Sequence, residues 1–258
     1  MASFPRPQSR SQAQSEQVGR LIIAAALVLF LPQLPLGNYL LYPFAILTTW
    51  FHEMGHGLTA LLLGWQFDRL ILFPDGSGVA ESYTLGEPGR LSQALVGAGG
   101  PLGPVVVGAL LILASARRTL WRPALFTLAA AIALSVIIWV RSATGLIVLP
   151  LVAVLIAAIA WRASDEPVRF ALQFLGVLAG FSMFRDWHYL FTENAVIGGQ
   201  QILSDTGVIE QALFLPHWIW AILLTALSGL ILGASLKFAL REDGSPNPRS
   251  RSREKVKS

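Results

Sequence analysis

Two histidines four residues apart, with a glutamate beside the first, form the run His52-Glu53-Met54-Gly55-His56 inside a stretch that is otherwise apolar from Leu40 to Leu63. A helix turns about 100° per residue, so side chains at i and i+4 lie one turn apart on one face, where two imidazoles can grip a single metal ion. Imidazoles and a carboxylate in hydrocarbon are costly unless partnered, so ionisable groups at membrane depth mark a functional site. The chemistry this pattern suggests is hydrolysis by a zinc-activated water. A catalytic zinc takes three protein ligands and leaves one position open for water, whose pKa it lowers to about 7. Glu53 is rotated about 100° from His52 around the helix, which makes it the candidate base rather than a ligand. The two histidines are then one ligand short. With no cysteine in the chain, the missing ligand must offer nitrogen or oxygen.

Four residues are candidates: Asp186, His188, Glu193 and Asp205. Asp186 follows directly on an apolar helix and can face a polar cavity at membrane depth, so it is the first choice. Asp205, in Ser204-Asp205-Thr206-Gly207, is the alternative; its competing role is to cap a short helix around Val208 to Leu213. His188 lies about 200° from Asp186 on a continuing helix and reads as an interfacial anchor beside Trp187 and Tyr189. Glu193 reads as a solvated loop residue.

These groups need a scaffold, and the composition indicates a membrane one. The chain is 54% hydrophobic and 13% charged, against roughly 25% charged in soluble domains. A spanning helix needs about 20 residues, so 258 residues accommodate six or seven spans. The expected fold is therefore an all-α, polytopic membrane helix bundle. Residues 1–19 read as a disordered polar tail, 20–240 as the membrane domain and 241–258 as a disordered basic tail. Within the domain, Leu21 to Leu36 is the first segment and Leu40 to Gly64 the helix carrying the motif. Gln93 to Ala114, Leu120 to Val140, Gly145 to Trp161, Val168 to Phe184 and Leu213 to Leu236 are the later helices. Between Trp65 and Arg90, two strand-like runs flank Pro74-Asp75-Gly76-Ser77, a turn signal, so a short β-hairpin is expected after the second helix. Gly55 and Gly57, and the pair Gly99 and Gly103, read as sites of close helix approach. Trp121, Trp139, Trp161, Trp187, Trp218 and Trp220 read as interface anchors, and Arg141 as a snorkelling residue. The net charge of +4 comes mostly from the termini and short loops, with no basic stripe interleaved with aromatics. The lipid bilayer is the implied partner, and nucleic acid is not.

With these residues in place, the chain resembles the site-2 protease family of intramembrane zinc metallopeptidases, in particular its small bacterial-type relatives. The resemblance rests on His52-Glu53-Met54-Gly55-His56 in an apolar helix, the hairpin after it, Gly100-Pro101 in the next helix, and Asp186 at a late helix end. It implies that His52, His56 and Asp186 hold Zn2+, that Glu53 activates water, and that the substrate is a membrane protein cut in or near a transmembrane segment. Trp187 stands where the family's aspartate motif has glycine, and the asparagine common after the Gly-Pro element is absent. The implied location is a multi-pass position in the plasma (inner) membrane. Two non-proteolytic readings stand beside this one: a zinc-binding sensor or scaffold, and a transporter with a His/Asp proton relay. The absence of an internal repeat speaks against the transporter. On sidedness, seven spans with a cytoplasmic basic tail place the hairpin outside. The resemblance places hairpin and metal toward the cytosol, which six crossings and one re-entrant early segment would accommodate.

Overall fold

The computed structural model describes residues 10–185 and 187–242. Helices dominate: α1 (Arg10–Phe30), α2 (Gly37–Leu62), α3 (Arg90–Ser115), α4 (Trp121–Ile138), α5 (Ala143–Arg162), α6 (Asp165–Arg185), the short α7 (Trp187–Leu190) and α8 (Asp205–Leu213), and α9 (His217–Glu242). Two antiparallel hairpins interrupt them, β1 (Gln66–Leu72) with β2 (Gly78–Tyr83), and β3 (Asn194–Ile197) with β4 (Gln200–Leu203). Among the described residues, six helices are long and apolar enough to cross a membrane: α1, α3, α4, α5, α6 and α9. The all-α multi-pass bundle with a hairpin after α2 is thus as expected. α1 begins at Arg10, well before Leu21, so residues 10–19, expected as tail, are helical. The remaining tail expectations, 1–9 and 243–258, lie outside the described residues.

Small residues set how the helices meet. Gly55 lies against Gly99 and Gly103, and a Cβ on Gly103 would come within 2.7 Å of the Phe51 carbonyl. α2 and α3 therefore run antiparallel with backbones nearly touching, which is the close packing expected of small-xxx-small pairs. α3 meets α6 the same way, Gly108 against Gly176 and Gly180. A continuous apolar core joins α2, α4, α5 and α6 around Ile46, Leu47, Trp50, Leu125, Ile132, Leu149 and Leu172.

Polar contacts identify the two ends of the bundle. At one end, Trp121 donates to the Ser115 carbonyl (2.7 Å), Arg118 and Arg122 pair with Asp165, and Arg20 pairs with Glu166 (3.3 Å). The start of α2, being antiparallel to α3, belongs to this end. Arg20, Arg117, Arg118, Arg122, Arg162, Arg169 and Arg241 make it the basic end. The β2–α3 loop, the α4–α5 turn and the second hairpin lie toward the other.

The first hairpin is held on both sides. The outer edge of β1 pairs with the α4–α5 turn: the Leu70 N–H donates to the Trp139 carbonyl and the Arg141 N–H to the Leu70 carbonyl, each at 2.9 Å. Trp139 stacks on Phe67, and its indole N–H donates to the Phe67 carbonyl. It locks the hairpin to the α4–α5 turn. The Arg141 guanidinium donates to the Ile138 and Val140 carbonyls at the end of α4. The hairpin turn folds back along α2, with Tyr42 donating to the Pro74 carbonyl (3.0 Å) and Thr49 to the Gly76 carbonyl.

Candidate metal centre

His52 and His56 project from one face of α2 toward α3. Gly100 makes room for them, since a Cβ there would collide with the His56 ring and come within 2.7 Å of His52 Nε2. The Gly100-Pro101 element thus supplies the hole the imidazoles occupy. His56 Nδ1 lies 2.7 Å from the Val96 carbonyl. A carbonyl only accepts, so Nδ1 carries a proton and Nε2 is the ring nitrogen turned inward, available as a ligand atom in the neutral imidazole. His52 Nε2 and His56 Nε2 face each other at 3.2 Å.

The residue that joins them is Asp205, the first residue of α8. Its Oδ2 lies 3.0 Å from His52 Nε2 and its Oδ1 3.1 Å from His56 Nε2. The local sequence explains its position. Ser204 takes the N-cap, its hydroxyl accepting from the Gly207 N–H at 3.1 Å, so Asp205 is freed from capping and turned inward. Hydrogen bonds clip the start of α8 to the segment after α7: Ser204 N–H to the Glu193 carbonyl, the Ser204 hydroxyl to Thr192, and the Thr206 hydroxyl to the Leu190 carbonyl at 2.8 Å. Tyr189, on that clipped segment, donates from its hydroxyl to Asp205 Oδ1 at 3.1 Å and sets its ring edge-on to His52. A small cavity of about 10 Å³, room for one water, lies between His52, Tyr189, Pro101 and Pro104.

Glu53 is buried on the neighbouring face of α2, under the first hairpin. A Cβ on Gly78 would sit 2.8 Å from Glu53 Cγ, so only glycine lets β2 approach this closely. The Ala80 N–H donates to the Glu53 carboxylate. This agrees with the register: Ala80 faces Leu70, whose N–H and C=O both turn away from β2, so Ala80 turns its own outward on the opposite edge. The outer edge of β2 therefore passes Glu53.

The donor set fits a zinc ion. A tetrahedral ion with bonds of about 2.0–2.1 Å has ligand atoms roughly 3.3 Å apart; the two imidazole Nε2 atoms are 3.2 Å apart, and the Asp205 oxygen facing each of them, Oδ2 for His52 and Oδ1 for His56, lies at 3.0 and 3.1 Å. Asp205 Oδ2 is buried and lacks an aligned hydrogen bond despite its nearness to His52, a costly vacancy for a carboxylate that a cation would fill. Two neutral imidazoles and a carboxylate are also the ligand types catalytic zinc prefers. Among the described residues these three form the one His/Asp/Glu group compact enough to hold a metal. Asp186, the first choice from the sequence, lies outside the described residues. His188 and Glu193 are exposed, and only the Glu193 backbone takes part in the structure around the site.

Among the described residues, a bundle with six helices long and apolar enough to cross a membrane, and a compact His52/His56/Asp205 group that could hold a metal, defines a multi-pass membrane protein with a candidate metal site. The chain matches the profile of the Peptidase M50B-like family over residues 20–235 and belongs to that family, the site-2 protease family. Comparison with curated proteins and with solved structures gives no significant match.

Proposed function

We propose that this protein is an intramembrane zinc metallopeptidase of the plasma (inner) membrane that hydrolyses a peptide bond in or near a transmembrane segment of another membrane protein. The observation that carries the proposal is the convergence of His52, His56 and Asp205 to hydrogen-bonding distance beside a buried Glu53. In this reading His52, His56 and Asp205 are the zinc ligands. Asp205 takes the place first assigned to Asp186 because its carboxylate already faces both imidazoles. When bound, zinc supplies a Lewis acid that lowers the pKa of water and polarises the scissile carbonyl. Glu53 accepts a proton from the attacking water, whose oxygen bonds to the carbonyl carbon. It then delivers that proton to the amide nitrogen as the C–N bond breaks, leaving a carboxylic acid and an amine.

A helical substrate must unwind before its amide is accessible, and the unwound backbone needs hydrogen-bond partners in hydrocarbon. Beyond Ala80, whose N–H is already taken by Glu53, the outer edge of β2 provides them, since strand addition there holds the substrate extended beside Glu53. A sensor or scaffold would share the ligands but tolerate loss of the base. Glu53→Gln keeps shape and zinc while removing the proton acceptor, so membrane proteins trapped by E53Q should be cleaved by wild type. Turnover by E53Q should fall about 10²-fold or more. Equal cleavage by E53Q and wild type would rule out Glu53 as the base, and a lack of cleavage by either would favour the sensor.

A further inference from the structure

Tyr189 stands in the site without a part in the chemistry so far described, and the sequence marks it only as a neighbour of His188. The Thr206–Leu190 and Ser204–Thr192 hydrogen bonds clip its segment to the start of α8, so the tyrosine and Asp205 are held as one unit. Its hydroxyl donates to Asp205 Oδ1, and its ring edge faces His52.

We infer that Tyr189 is a positioning residue that makes Asp205 bind the metal through a single oxygen. This rests on the metal centre proposed above. Each carboxylate oxygen faces one imidazole, Oδ1 at 3.1 Å from His56 Nε2 and Oδ2 at 3.0 Å from His52 Nε2, but only Oδ1 also accepts the Tyr189 hydrogen bond, whereas buried Oδ2 has no aligned donor. A proton donated to Oδ1 engages one of its lone pairs and draws charge from it, so Oδ2 is the better ligand atom. A carboxylate bound through both oxygens would fill the coordination position that water needs. With Asp205 held to one oxygen, two histidines and one carboxylate oxygen leave that position open. The hydroxyl thereby sets coordination number as well as orientation, without touching substrate.

Tyr189→Phe removes the hydroxyl and keeps the ring against His52. Zinc affinity, measured by competition with a chelator on the full-length detergent-solubilised protein, should fall about 10- to 100-fold in Y189F. The visible absorption of the cobalt-substituted protein should weaken as the coordination number rises. Tyr189→Gln keeps a donor and loses the ring, so its affinity should lie nearer to wild type than that of Y189F. Wild-type affinity and an unchanged cobalt spectrum in Y189F would overturn the inference. So would a Y189Q protein as poor as Y189F, which would assign the loss to packing. The underlying metal reading fails separately: wild type holding no zinc, or Asp205→Ala keeping it, would refute the centre itself whatever Tyr189 does.

Discussion

Gly100→Ala is the smallest change that should dismantle the centre without altering a ligand. Alanine is favoured over glycine in a helix interior by about 1 kcal/mol, so at an open position of α3 this substitution would stabilise the protein. At Gly100 the new methyl would overlap the His56 ring and stand 2.7 Å from His52 Nε2. Ordinary carbon–nitrogen contacts need roughly 3.5 Å, so His52 alone must retreat by about 0.8 Å, and His56 by more. Separating the α2–α3 backbones to absorb this would give up the close contacts of Gly55 with Gly99 and Gly103. Coordination bonds of about 2.0–2.1 Å do not survive such a displacement of two ligands. Overpacking should cost about 1–3 kcal/mol of stability, offset in part by the helix preference, and zinc affinity should fall by about 10² or more. Chelator competition and thermal unfolding of purified protein read the two effects separately. Gly233→Ala, at a position with nothing within 4 Å of the added methyl, is the control and should leave zinc binding unchanged. A G100A protein with wild-type zinc affinity would refute the geometry on which the site rests.

Other perturbations probe the scaffold. Ser142→Ala removes both the cap of α5 and the acceptor for the Leu72 N–H (2.9 Å), so it should cost about 1–2 kcal/mol and loosen the hairpin, read as faster proteolysis or hydrogen exchange across Leu70 to Leu72. Ser204→Ala removes the cap that turns Asp205 inward; zinc affinity should fall along with about 1 kcal/mol of stability, and unchanged affinity would show that the cap does not place the aspartate. Introduced cysteines at Arg117, Arg162 and Ser250 should label from one side, the cytoplasm by the excess of basic residues, and one at Glu87 from the other. Labelling of Glu87 and Arg162 from the same side would contradict the antiparallel order of the helices.

The sequence revealed most where the pattern is local. His52 and His56 are legible because one helical turn separates them, and the first hairpin because Asp75-Gly76 interrupts two alternating runs. The close approach at Gly55, Gly99 and Gly103 follows from their spacing and was expected. What stayed hidden depends on contacts distant in sequence. Asp205 lies 149 residues after His56, and no local spacing reveals that Ser204 would take the cap and leave the aspartate facing inward. Tyr189 resembles its interfacial neighbours until the clip to α8 turns it toward the carboxylate. The second hairpin did carry a local signal: Gly198-Gly199, both at positive φ, joins Val196-Ile197 to a second short apolar pair, Ile202-Leu203. Its apolar runs, Val196-Ile197 and Ile202-Leu203, are too short for alternation to declare a strand.

The zinc content of purified protein tests the central claim most directly. Wild type should carry about one zinc per chain, Asp205→Ala and His56→Ala should carry almost none, and Glu53→Gln and Asp186→Ala should keep it. A wild-type protein without zinc, or an Asp205→Ala protein that retains a full equivalent while Asp186→Ala loses it, would contradict the account.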